Sequence, residues 1–169
     1  YTRFERYPAK YKEKNKMEGY PKLDTSFYLY RKDIDLNNSD LMYLKSYTQY
    51  IVKRLYSNVY AQGHSYYSNK FTVALLNTIN DNITSEKIKN TYLRQMIVND
   101  FLNKSSCKIN KDAFFTYFKL SSNIEDKKEI QRLINDVKRL QGGDQLPAFD
   151  ILDFNLSLIH ISEPTRRTP

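Results

Sequence analysis

The sequence predicts an all-α fold: an irregular antiparallel bundle of about five helices, followed by the first strand of another domain. Three observations carry that expectation. Apolar residues recur at three- and four-residue steps from residue 41 to residue 140. Glycines number only 4 in 169 residues, which disfavours a turn-rich β fold. After Gly142-Gly143 the period shortens, and "QLPAFDILDFN" reads as an extended segment.

The helices can be justified in order. Residues 1–37 are polar and tyrosine-rich, with a short helix expected to open after Pro8 in "YPAKYKEKNK". "KLDTSFYLYRKDIDL" reads as a connecting segment anchored by Phe27, Tyr30 and Ile34. A long helix should follow Ser39 as N-cap, with Leu41, Leu44, Tyr47, Ile51, Leu55 and Val59 inward and a stop at Gly63. The next follows Ser68, burying Phe71, Ala74, Leu75 and Ile79. Thr84 should cap a third helix carrying Ile88, Tyr92, Met96, Ile97 and Phe101. Asn110 should cap a short fourth one with Phe114, Tyr117 and Phe118. Ser122 and Glu125 fit a capping box for the fifth, with Ile130, Leu133, Ile134, Val137 and Leu140 in register. No repeat near 34 residues recurs among the helix pairs, which weighs against a solenoid.

Charge is unevenly spread. The formal net charge is +8, yet residues 1–32 hold nine Lys/Arg against four Asp/Glu, while residues 33–155 hold sixteen against fourteen. A nucleic-acid binder carries its basic stripe on the folded body. Here the excess lies in "RFERYPAKYKEKNK", which reads first as a solvated basic face, so nucleic acid is not the expected partner.

Candidate reactive residues are sparse. His64 lies in an inter-helix loop without nearby ligand-type residues, so a structural role is expected rather than a metal. Cys107 is the single cysteine, flanked by Lys104 and Lys108 near a helix C-terminus, and reads as an inert thiol. The carboxylate pairs Asp33/Asp35 and Glu125/Asp126 sit where capping and solvation explain them. There is no glycine-rich phosphate loop, no Gly-x-Ser-x-Gly, no His-Glu-x-x-His and no Cys-x-x-Cys. No catalytic, cofactor-binding or metal residue is therefore assigned, and no cofactor is expected. Thirteen of the fifteen tyrosines precede residue 68. Tyr43, Tyr47 and Tyr50 share part of a helical face, and Tyr66-Tyr67 follow in the next loop. Packing between helices is the first reading, and a docking surface for another domain the second.

Two stretches resemble a known family. "GGDQLPAFDILDFN" resembles the opening of a thioredoxin-like domain of the TlpA/ResA type, with Gly143, Pro147, Phe149, Ile151 and Asp153 in the matching places. "LDTSFYLYRKDIDLNNSDLMYLKSYTQYI" is similar to the helical segment that precedes such domains in envelope proteins of Gram-negative anaerobes. The resemblance implies a parent thiol–disulfide oxidoreductase on the periplasmic side, often lipid-anchored, which exchanges disulfides through a Cys-x-x-Cys pair. It implies as partners the thioredoxin-like domain itself and, through it, envelope disulfide substrates. None of the family's reactive residues can be carried over, because this sequence has none of them, so the chain itself is expected to be inactive in disulfide exchange. The pattern breaks at Leu156, where the family calls for glycine. From there "LSLIHISEPTR" matches, residue for residue, the translation of a transposase mosaic-end adapter.

The expected organisation is therefore a lead-in at 1–37, a helical domain at 38–143, a thioredoxin-like opening at 144–155 and an adapter-derived tail at 156–169. The alternative is a free-standing helical interaction module with a basic N-terminal segment.

Overall fold

The computed structural model describes residues 1–104 and 109–139, with side chains to 103 and from 109 to 136, and the backbone of 150–152 and 158–160. The chain divides into two units, Tyr1–Ile134 and Asn135–Pro169. The larger one is all-α, as expected. Its helices are α1 (Thr2–Lys14), α2 (Lys45–Ala61), α3 (Asn69–Asn82), α4 (Glu86–Asn99), α5 (Lys111–Leu120) and the body of α6 (Ile124–Arg139). A 3₁₀ helix, Thr25–Asp33, lies between α1 and α2, and a π-helical turn, Asp100–Lys104, extends α4.

Helix α3 sits at the centre, packed against α2, α4 and α5, while α1 packs on α2. The core follows from the helical period. Ile51, Leu55 and Val59 of α2, Leu76 and Ile79 of α3, Leu93 and Ile97 of α4, and Ala113 and Tyr117 of α5 are all fully buried. Every inward residue expected on α4 is buried, Phe101 included. On α6, Ile130 and Ile134 are buried, whereas Val137 and Leu140 lie outside the residues with described side chains.

Several local expectations need correction. Helix α1 does not open after Pro8; it begins at Thr2 and contains Pro8, which is buried. The missing N–H of a proline costs a helix one bond. The packing of α1 on α2, with Glu5 and Pro8 buried, outweighs that cost. Likewise "KLDTSFYLYRKDIDL" is not a plain connector: Asp24 accepts a bond from the Ser26 N–H at 2.8 Å and starts the 3₁₀ helix. Ser39 does not cap α2. Asn38 caps a separate turn, Ser39–Leu41, and α2 starts only at Lys45. The Tyr47 hydroxyl ties the approach to that turn onto α2, accepting from the Asn38 N–H at 3.3 Å and donating to the Asp35 carbonyl at 2.6 Å.

The cap of α4 is also not local. Its N-cap residue is Ser85, and the N–H groups of Thr84 and Ser85 both donate to Asn37 Oδ1, at 2.7 and 2.9 Å. The capping box at Ser122 does not form either. Asn123 Oδ1 accepts from the N–H groups of Glu125 and Asp126, at 3.0 and 3.2 Å. The Ser122 hydroxyl instead donates to Glu86, and its N–H donates to Asn90 Oδ1 at 3.0 Å. Ser68 and Asn110 do cap α3 and α5. Gly63 ends α2 with φ of 86°, a backbone region that side chains with a Cβ rarely adopt.

In the second unit, two three-residue strands, β1 (Asp150–Leu152) and β2 (Leu158–His160), pair antiparallel with Ile151 opposite Ile159. β1 falls within the expected extended segment. β2 falls within the adapter-like tail.

Candidate functional site

Helix α1 shows three faces, and each follows from its sequence. Glu5 and Pro8 form the buried face. Thr2, Arg6, Lys10 and Glu13 recur at three- and four-residue steps along a second. Tyr1, Phe4, Tyr7 and Tyr11 form the third, an aromatic strip.

The buried face carries an ion pair. The Glu5 side chain is 0% exposed, and Arg31 from the 3₁₀ helix pairs with it through both carboxylate oxygens, at 2.9 and 2.6 Å. Arg31 Nη1 donates onward to Asn58 Oδ1 of α2 at 2.9 Å, and the guanidinium lies 4.3 Å from the Tyr28 ring centre. One planar fork therefore ties α1, the 3₁₀ helix and α2 together. Burial lowers the Arg31 pKa, but the hydrogen bonds and charge of Glu5 outweigh it and leave the pKa raised. The Tyr30 hydroxyl is buried without a hydrogen bond of good geometry, though it lies close enough to feel Glu5 and Arg31. Its pKa is pushed up, first by burial and then by Glu5.

The clamp joins α1 to the 3₁₀ helix on which the aromatic strip packs. Tyr1 stacks on Tyr30 at 5.5 Å, while Phe4 meets Phe27 and Tyr30 at 6.0 and 5.2 Å. Tyr7 packs on Phe27 at 5.8 Å. Even so, Tyr1, Phe4, Tyr7 and Tyr11 remain 55%, 49%, 47% and 41% exposed, and Leu29 beside them 54%. Single exposed apolar residues are ordinary; a contiguous row of packed rings is a feature of interaction surfaces.

The residues singled out from the sequence fall as follows. Tyr47 and Tyr50 are buried, so packing explains them, whereas Tyr43 and Tyr67 are 81% and 86% exposed. Tyr66 packs on Tyr56 and Phe71. His64 follows α2, its N–H donating to the Val59 carbonyl at 3.4 Å. Among the described residues no group of three His, Cys, Asp or Glu could hold a metal ion. Cys107 lies outside the described residues. Asp35 accepts from the Asn37 N–H at 2.9 Å, Glu125 pairs with Lys128 at 2.9 Å, and Asp126 faces Arg94 at 3.6 Å. The first accepts a turn bond and the others belong to surface pairs, so none needs a catalytic role. The exposed strip and the Glu5–Arg31 clamp were not foreseen. The spacing of Tyr1, Phe4, Tyr7 and Tyr11 was the available signal, masked by Pro8.

Burial of the tyrosines has a measurable consequence. Tyr56 and Tyr92 are pushed up to about 12, chiefly by burial. An unfolded phenol titrates near 10. The folded chain therefore keeps its protons where the unfolded one loses them. Stability from these groups is full below about pH 10 and falls as pH rises toward 12. An alkaline titration should show phenolate absorbance rising together with loss of helical circular dichroism above about pH 10. Ionisation of all 15 phenols with unchanged helix content through about pH 12 would contradict it.

No family model, curated protein or solved structure matches this chain. Among the described residues no helix is long and apolar enough to cross a membrane.

Proposed function

We propose that the helical body is a docking and positioning region without a reaction centre of its own, and that it serves a thioredoxin-like redox domain. The observation that carries the docking role is the aromatic strip of α1, half exposed yet packed on the 3₁₀ helix that the buried Glu5–Arg31 pair joins to α1. Rigid aromatic side chains lose little conformational entropy on binding, which is why such rows serve as anchors. The redox partner is supported by the resemblance of residues 143–153 to the opening of a TlpA/ResA-type domain. On this reading the parent protein carries out dithiol–disulfide exchange in the cell envelope. A chain with one cysteine has no second thiol to resolve a mixed disulfide.

The test is a pair of serine substitutions on the strip, Phe4→Ser with Tyr7→Ser. Both side chains are about half exposed, so the helical circular dichroism should survive. Affinity for a thioredoxin-like domain of this type, read by calorimetry, should fall by about tenfold or more. Unchanged affinity would overturn the docking role. The alternative module, acting through its basic segment, predicts instead salt-dependent binding of an acidic protein or nucleic acid carried by residues 3–16.

A further inference from the structure

The second face of α1 looks across a cleft of 420 Å³ toward the C-terminal half of α2. Arg6 and Lys10 line it from α1, one helical turn apart, and Lys53 lines it from α2. Among the described residues none of these three cations forms an ion pair. Glu5, which also reaches this cleft, is neutralised by Arg31. Tyr56, Tyr60 and Tyr66 form the other wall. Those rings pack on Phe71, with centres 5.4, 5.3 and 5.5 Å away, while Tyr56 stacks with Tyr66 and Tyr60 with Tyr20. Arg6 and Lys53 also line an adjoining cleft of 610 Å³, whose lining includes Thr48, Gln49, Thr91 and Gln95.

Three unpaired cations beside an aromatic wall combine two recognition chemistries. Lysine and arginine hold phosphate oxygens through charge-assisted hydrogen bonds. Tyrosine faces accept a flat ring by stacking. We propose that this cleft binds a small phosphorylated aromatic molecule of the nucleoside mono- or diphosphate class. The phosphates lie on Arg6, Lys10 and Lys53, and the ring lies against the tyrosines. A small ligand is favoured over a nucleic-acid strand because the cleft is 420 Å³ and gathers three cations, room and charge for one nucleotide rather than for a chain of them. The aromatic strip is another face of the helix, and none of its residues lines the cleft.

The test uses the full chain and ADP as the probe, followed by isothermal calorimetry. Adenosine, inorganic pyrophosphate and a single-stranded oligonucleotide serve as comparisons. Expected is saturable one-to-one binding of ADP, with adenosine and pyrophosphate each about tenfold weaker or more. Arg6→Gln and Lys53→Gln should each weaken ADP by about tenfold, while Arg6→Lys retains most of the affinity. Both side chains are exposed, so neither substitution should unfold the chain; circular dichroism checks this. Lys128→Gln, exposed on α6 and lining neither cleft, should change nothing. Absence of saturable binding would overturn the proposal. So would ADP binding indifferent to Arg6→Gln and Lys53→Gln, pyrophosphate binding as tightly as ADP, or a tighter fit of the oligonucleotide.

Discussion

Arg31→Met is expected to destabilise the fold by about 3–5 kcal/mol, because it strands the Glu5 carboxylate in the interior. The Glu5 side chain is 0% exposed, and removing the guanidinium leaves no cation bonded to it. The midpoint of urea unfolding should drop while the slope stays constant. Glu5→Leu combined with Arg31→Met should recover most of the loss, since replacing both partners removes the stranded charge. The exposed pair Glu125–Lys128, whose side chains are 81% and 62% exposed, is the control. Its removal should cost less than about 1 kcal/mol. A cost for Arg31→Met no larger than that of the control would mean that the clamp does not hold α1 in place.

Phe71→Ala should cost about 3–5 kcal/mol, close to the upper end for a core truncation. Phe71 is 1% exposed and sits on α3 where α2 crosses it. Three tyrosine rings rest against it, so its loss removes both buried area and their common support. Phe71→Leu keeps part of that volume and should cost about 1–2 kcal/mol. Near-ultraviolet circular dichroism should weaken in the alanine variant while the far-ultraviolet signal persists below the unfolding midpoint. A loss under about 1 kcal/mol would show that the tyrosine cluster is supported elsewhere.

Much of the fold was legible from periodicity alone. Phe71, Leu75 and Ile79, or Ile88, Tyr92 and Met96, recur at steps that only a helix can turn inward, and all are buried. Caps were legible where the partner is two or three residues away, as at Ser68 and Asn110. They failed where the partner is distant. The start of α4 is satisfied by Asn37, a residue from before α2. Ser122 is drawn to Glu86 and Asn90, which leaves Asn123 as the cap. The interaction face was harder still. Pro8 argued locally against a helix through it, and the packing of α1 on α2, with Glu5 and Pro8 buried, reverses that preference. The pairing of Glu5 with Arg31 spans 26 positions and leaves no periodic trace in the sequence.

The docking role itself is tested most directly by hydroxyl-radical footprinting of side chains, in this chain and in one continued past Asn155 through a thioredoxin-like domain. Tyr67 and Phe115, 86% and 74% exposed, report on surfaces outside the strip. Labelling of Tyr1, Phe4, Tyr7 and Tyr11 should fall sharply in the longer chain while Tyr67 and Phe115 label as before. Equal labelling of the strip in both chains would contradict it.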